Sequence, residues 1–196
     1  MRMPFTVYVL ASLTLGLVMG YEGFSLPGYV MHYALVSLIF VAGLAIGREF
    51  KELVRQAGRL TYLGVMFAAA NIVAGCISGL LVSRVLGGSL RVGSVIGAGS
   101  GWYTLVGPLV SQVDPVYGVI GFLANMLREE IHILIYPLLS RCCPLEAITI
   151  GGATTMDTGL PVVALYGERK HVLVALIQGG IITLVAPIIL PVMLGD

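Results

Sequence analysis

Arg128, Glu129 and Glu130 lie near the middle of a long apolar run, residues 115–139. As a helix that run is long enough to cross a bilayer. Each charge near the centre of such a helix costs about 2.5–3.5 kcal/mol on insertion scales. The gross penalty of about 8–10 kcal/mol must be offset by pairing, by water or by protonation. A merely structural helix carries leucine at such positions. Asn125, Arg128, Glu129 and His132 follow the i, i+3, i+4, i+7 pattern and share one helix face. Gly118, Gly121 and Tyr136 extend that stripe, whereas Glu130 points about 100° away from Glu129. The stripe reads as an intramembrane substrate or proton site in preference to a polar packing face, because ionisable groups at membrane depth are functional by default.

The composition agrees. The chain is 58% hydrophobic and 11% charged, with mean hydropathy +0.98, where a soluble domain is about 25% charged. Its apolar runs are continuous rather than alternating, which excludes a transmembrane β-barrel. The expected fold is an all-α polytopic membrane protein, one transmembrane domain over residues 1–196. A net charge of +1 without a basic tail gives no footing for nucleic acid. Cys76, Cys142 and Cys143 have no metal spacing, and His32, His132 and His171 form no zinc cluster. Glu129 and His132 have the i, i+3 spacing of a carboxylate-bridged metal helix, but no second copy occurs. Ser100 sits in Ala98-Gly99-Ser100-Gly101-Trp102, without the first glycine of a nucleophile elbow. No metal, cofactor or enzymatic activity is therefore expected.

Seven membrane segments are predicted, about 4–20, 28–47, 60–82, 91–112, 115–139, 145–166 and 172–194. The third carries a ridge of small residues suited to close packing. The last contains Pro187 and Pro191, which predicts a kink. The most cationic connection, residues 48–59, reads as a loop. If all seven segments cross with the N-terminus inside, seven cationic residues (Arg2, Arg48, Lys51, Arg55, Arg59, Arg169, Lys170) face the cytoplasm. Three (Arg84, Arg91, Arg141) face out, so the positive-inside rule predicts N-terminus in and C-terminus out.

Two segments hold too many glycines for an undisturbed helix. Residues 93–108 include Gly93, Gly97, Gly99, Gly101 and Gly107, and residues 151–161 include Gly151, Gly152, Gly159 and Pro161. Each Gly costs about 1 kcal/mol relative to Ala in a helix. Non-helical backbone at membrane depth is tolerated only where it lines a cavity or is buried in protein, and interrupted spans mark transporter sites. These two segments are expected to be broken or re-entrant. Their freed N–H groups suit a carboxylate, and their carbonyls, with Thr154, Thr155 and Asp157, suit an ammonium or a cation.

Gly99-Ser100-Gly101-Trp102-Tyr103-Thr104-Leu105, then Arg128-Glu129 in an apolar helix, then Gly152-Ala153-Thr154-Thr155-Met156-Asp157 with Leu160-Pro161-Val162, resemble the LysO lysine exporter family of prokaryotes. Residues 40–48 resemble a stretch of that family as well. The resemblance covers essentially the whole chain. It implies export of L-lysine and its analogues from the cytoplasm, with Glu129 at the family's intramembrane carboxylate position and no role carried to Glu130. Typical members have a further N-terminal portion of about three helices bearing another carboxylate. The resemblance therefore implies the C-terminal portion of a fold with inverted repeats.

The leading expectation is a secondary transporter in the cytoplasmic membrane. Glu129 meets an ammonium or a coupling proton, and Asp157 with Thr154 and Thr155 meets the other cation. Backbone near Ser100, Trp102 and Tyr103 meets the substrate carboxylate. Arg128 supports Glu129 or binds that carboxylate, and Asn125 and His132 complete the stripe. The alternatives are an accessory or scaffold subunit of a split transporter, needing a small membrane partner or a second copy of the chain, and a channel.

Overall fold

The computed structural model of the chain describes residues 5–24 and 27–195, and its regular structure among them is helical. The chain forms two compact units, Met1–Arg48 and Glu49–Asp196. The first holds α1 (Phe5–Tyr21) and the beginning of α2 (Gly28–Leu86). The expected loop at 48–59 is part of α2, one continuous helix. Its Glu, Lys, Leu, Arg, Gln and Ala residues are strong helix formers, and no proline interrupts residues 28–86. Charge alone did not break the helix there.

Among the described residues, two helical stretches are long and apolar enough to cross a membrane. They are Gly58–Leu86, with mean hydropathy 2.1, and Arg169–Leu194, with mean hydropathy 2.4. The second is helix α8, which runs through Pro187 and Pro191 without interruption. Helix α5 (Pro115–Leu139) carries too many charges for that group, yet it is built inside out. Val119, Ile120, Leu123, Leu127 and Ile131 face outward. Gly118, Gly121, Asn125, Glu129, His132 and Tyr136 are buried. An apolar outer face over a polar interior is the arrangement a helix needs in lipid.

The two glycine-rich segments do not run past α5 as single crossings. Helices α3 (Leu90–Ala98) and α4 (Tyr103–Ser111) form a hairpin. Its outer ends lie by the first turns of α5. The Ser89 N–H donates to the Tyr117 hydroxyl (3.3 Å), and Ser111 packs on Gly118. Its tip reaches the middle of α5, where the Gly101 N–H donates to Asn125 Oδ1 (2.8 Å).

The second hairpin comprises α6 (Pro144–Gly151), a 3-10 turn (Gly152–Met156) and α7 (Leu160–Tyr166). It starts just beyond the other end of α5, reaches Arg128 at the Ile150 carbonyl, and returns to Tyr136, which meets Gly167. The segments at 91–112 and 145–166, expected to be broken or re-entrant, are thus each folded back on themselves. Ser100, Gly101 and Gly152, all at positive φ, supply the reversals that an unbroken span lacks.

Helix α8 runs antiparallel to α5, from His171 beside Gly167 to Met193, whose carbonyl accepts from Arg91 Nε (3.2 Å). The later part of α2 runs parallel to α8. Gly64 meets Ile177, and Gly75 and Gly79 meet the backbone of Gly97 and Gly93. Val92, Val95, Ala98, Val106 and Val110 pack with Ala186, Leu190 and Leu194 into an apolar core between the first hairpin and α8.

Candidate functional site

The hairpin tips meet. The Ala153 N–H donates to the Ser100 carbonyl at 2.8 Å. Ser100 (φ 52), Gly101 (φ 90) and Gly152 (φ 63) all occupy the left-handed region, where only glycine is unstrained. A Cβ on Gly101 would lie 2.8 Å from the Gly151 carbonyl oxygen, and one on Gly152 would strike the Ser100 carbonyl. Ser100 takes this geometry without being glycine, its hydroxyl donating to the Ala98 carbonyl (2.9 Å). Non-glycine residues held this way cluster at functional sites. Asn125 fastens the first tip to α5. Besides accepting from Gly101, its amide donates to the Ile96 and Gly121 carbonyls (3.0 Å each).

Arg128 fastens the second hairpin. Nε donates to the Ile150 carbonyl (2.7 Å). Nη2 donates to Asn71 Oδ1 (2.8 Å) and the Thr149 carbonyl (3.2 Å), and the Asn71 amide also donates to the Thr149 carbonyl. The last carbonyls of a helix lack intrahelical partners and carry the negative end of its dipole. Arg128 satisfies them at the end of α6. The structure does not bring it to Glu129.

Glu129 is 6% exposed. The Thr158 side chain lies beside its carboxylate, and Asp157 is close enough to interact with it electrostatically. Asp157 Oδ1 accepts from the Thr158 N–H (2.6 Å) and hydroxyl (3.3 Å). Tyr103 is near enough to both carboxylates and to Glu130 to interact with them electrostatically, its ring set edge-on to Phe122 at 5.2 Å. Among the described residues, no Lys or Arg is in ion-pair contact with Glu129 or Asp157. Two carboxylates, a phenol and a hydroxyl thus converge beside the crossed tips with no fixed countercharge. That set attracts a cation with N–H donors.

The other expected site residues are spread around this centre. The Thr154 hydroxyl donates to the Gly151 carbonyl (3.0 Å). The Thr155 hydroxyl donates to the Gly152 and Ala175 carbonyls (2.7 and 3.0 Å). Both stabilise the turn and keep only lone pairs to offer. The N–H groups expected to receive a substrate carboxylate are engaged internally, Ser100 with Gly97, Trp102 with Gly99 and Gly101 with Asn125. Trp102 packs against the apolar core. His132 is fully buried, its ring against Gly151 and Gly159.

Sequence reasoning overlooked Thr158, Asn71 and Gln178. Gln178 Nε2 donates to the Ile148 and Gly152 carbonyls (3.2 and 3.4 Å). It is an amide in the middle of an apolar helix, the signal that singled out Asn125. On the far side of Arg128, Ala70, Asn71, Ala74, Gly75, Ser78 and Thr149 line an open groove of about 590 Å³.

The sequence profile described as lysine exporter LysO matches residues 7–194. The chain is similar to the lysine exporter LysO of Escherichia coli strain K12, 32% identical over 162 residues, which are 81% of this chain and 52% of that protein. It is also similar to a putative lysine exporter of Haemophilus influenzae, 26% identical over 189 residues, 93% of this chain and 94% of that one. The chain thus spans about half of the first relative and nearly all of the second. No solved structure matches it. With a family profile covering all but its ends, the chain belongs to the LysO lysine exporter family.

Proposed function

We propose that this chain is a secondary transporter of the cytoplasmic membrane that exports L-lysine and related cationic amino acids. The observation that carries the reading is the pair of buried Glu129 and half-buried Asp157, which has no cationic side chain to neutralise it among the described residues. The two ammonium groups of lysine supply the missing charge, one to each carboxylate, with a coupling proton or cation taking their place on the return. Tyr103 and Thr158 orient the ammonium groups by hydrogen bonding. The opposed hairpins support an inverted-repeat, alternating-access design, with each hairpin gating one side.

The hairpins and the distribution of cationic residues support a multi-pass topology. Lys51, Arg55, Arg59, Arg141, Arg169 and Lys170 belong to the end of the second unit where α5 stops and α8 starts, and Arg84 and Arg91 to the opposite end. Six cations against two put the first end in the cytoplasm. Each re-entrant hairpin returns to the side it enters from, so α8, which starts at the cytoplasmic end, puts the C-terminus outside. Arg141 moves to the cytoplasmic side.

A second reading is favoured by one observation, that the chain matches only 52% of the Escherichia coli exporter. In it the chain is one subunit of a split transporter, and a small membrane protein of about three spans, or a second copy of the chain, covers the groove beside Asn71 and Arg128. Reconstitution into vesicles, alone and with a candidate partner, followed by uptake of labelled lysine, tests both. Saturable lysine exchange by the chain alone supports the first reading. Exchange only with the partner supports the second, and conductance without saturation would mean a channel.

A further inference from the structure

We propose that His132 and Tyr136 form a proton-conducting path from the carboxylate site to the cytoplasmic end of the protein, which makes lysine export proton-coupled. The inference rests on the transport reading and assigns its coupling ion. The residues of α5 below Glu129 carry the argument. His132 and Tyr136 are both fully buried, and neither ring nitrogen of His132 nor the Tyr136 hydroxyl has a hydrogen-bond partner among the described residues. The Ala147 carbonyl lies near the imidazole but outside hydrogen-bonding geometry. Leaving such groups buried and unpaired is costly, and Leu and Phe would fill the same space without that cost. Chains of carboxylate and imidazole within membrane segments mark proton relays.

The geometry forms a descending series. Glu129, His132 and Tyr136 are spaced three and four residues apart on one face of α5. His132 Nε2 lies against Gly159, next to the Thr158 that flanks Glu129. The His132 and Tyr136 ring centroids are 5.4 Å apart. The Tyr136 hydroxyl abuts Gly167 beside His171, in the turn that ends at the exposed Lys170–Glu168 ion pair (2.9 Å). The charged groups facing this lower end are Arg128 toward His132, and Glu146, Glu168 and Lys170 toward His171. His171 Nδ1 accepts the Glu168 N–H (2.8 Å), so His171 holds the turn and is a positioning residue. In the transfer step the O–H bond of protonated Glu129 breaks and an N–H bond forms on one ring nitrogen of His132. The other ring nitrogen gives a proton to the Tyr136 oxygen. Opening of the partly exposed turn at Gly167 admits water to the buried Tyr136 hydroxyl, which releases its own proton to it.

The test uses the intact chain, with its partner if one is required, in vesicles containing a pH-sensitive dye. Lysine-driven proton movement and counterflow of labelled lysine are measured for the wild type and for Tyr136→Phe, which removes only the hydroxyl. Counterflow returns a loaded carrier each way and needs no proton release. In Tyr136→Phe, proton movement should fall about tenfold or more while counterflow stays within about twofold. Unchanged proton movement in Tyr136→Phe, or counterflow reduced in the same proportion, overturns the path. Wild-type exchange without any proton movement overturns the path and leaves the transport reading standing. Absence of any lysine exchange removes both.

Discussion

The Ser100 carbonyl accepts the Ala153 N–H at 2.8 Å, so two hairpins that enter from opposite ends of α5 are joined main chain to main chain at their tips. The bond places the reversals of both hairpins beside Glu129 and makes the crossing the centre of the candidate site.

Glu129→Gln should abolish lysine transport while leaving membrane insertion intact, since it removes the charge and little volume. Glu130→Gln should be much milder, because Glu130 is half-buried and off the buried face. Labelled lysine uptake by both variants at matched membrane abundance decides this. Wild-type rates in Glu129→Gln would remove that carboxylate from the site.

Asp157→Asn should weaken binding of lysine about 10- to 100-fold, the range lost with a hydrogen bond to a charged group. Titration calorimetry with a lysine analogue is the measurement. Unchanged affinity would leave Asp157 only its structural bonds to Thr158.

Gly101→Ala and Gly152→Ala should each reduce both activity and thermal stability. Alanine in the left-handed region costs about 1–2 kcal/mol, and here the added Cβ also meets a carbonyl of the opposite hairpin. In an ordinary helix the same change is stabilising. Variants with raised melting temperature and full activity would contradict the crossed-tip geometry.

Arg128→Lys should be nearly as damaging as Arg128→Met. Arg128 spans the Ile150 and Thr149 carbonyls and Asn71 with two nitrogens, and an ammonium cannot reproduce that fork. Were Arg128 simply a countercharge for Glu129, lysine would serve. Thermal unfolding in detergent separates the two cases.

Cysteines placed at Ser89 and Val113 should react from the same side of the membrane, and the native Cys142 from the other. Both ends of the first hairpin lie by the first turns of α5, whereas Cys142 follows its last turn. Labelling of intact cells with an impermeant maleimide is the check. Opposite sidedness for Ser89→Cys and Val113→Cys would restore a crossing there.

Much of this was legible in the sequence. The stripe from Gly118 to Tyr136 follows from helical spacing alone, and the buried face of α5 is that stripe with Arg128 turned aside. The glycines at 99–101 and 151–152 marked where the two segments reverse. Whether each segment crosses broken or turns back was left open, because two nine-residue helices in series have the length and apolarity of one span. The partners of Arg128 were hidden as well. Main-chain carbonyls carry no residue signature, so a guanidinium next to a glutamate in sequence suggested an ion pair. The 48–59 stretch misled in the other direction, since its charges signalled a loop and its helix propensities kept α2 whole.

The missing countercharge at Glu129 and Asp157 also bears on energetics. With Arg128 bound to the end of α6, an unoccupied and unprotonated pair carries two negative charges, a pair holding lysine, whose own net charge is positive by one, carries one, and a doubly protonated pair carries none. Moving one elementary charge through a membrane potential changes the free energy by about 2.3 kcal/mol per 100 mV. In the proposed transporter, voltage therefore acts most on the bare carrier, less on the lysine-loaded one and hardly on the doubly protonated one. Stranding of empty carriers on one face of the membrane would then be set by the electrical gradient, and protonation of both carboxylates would release them from it.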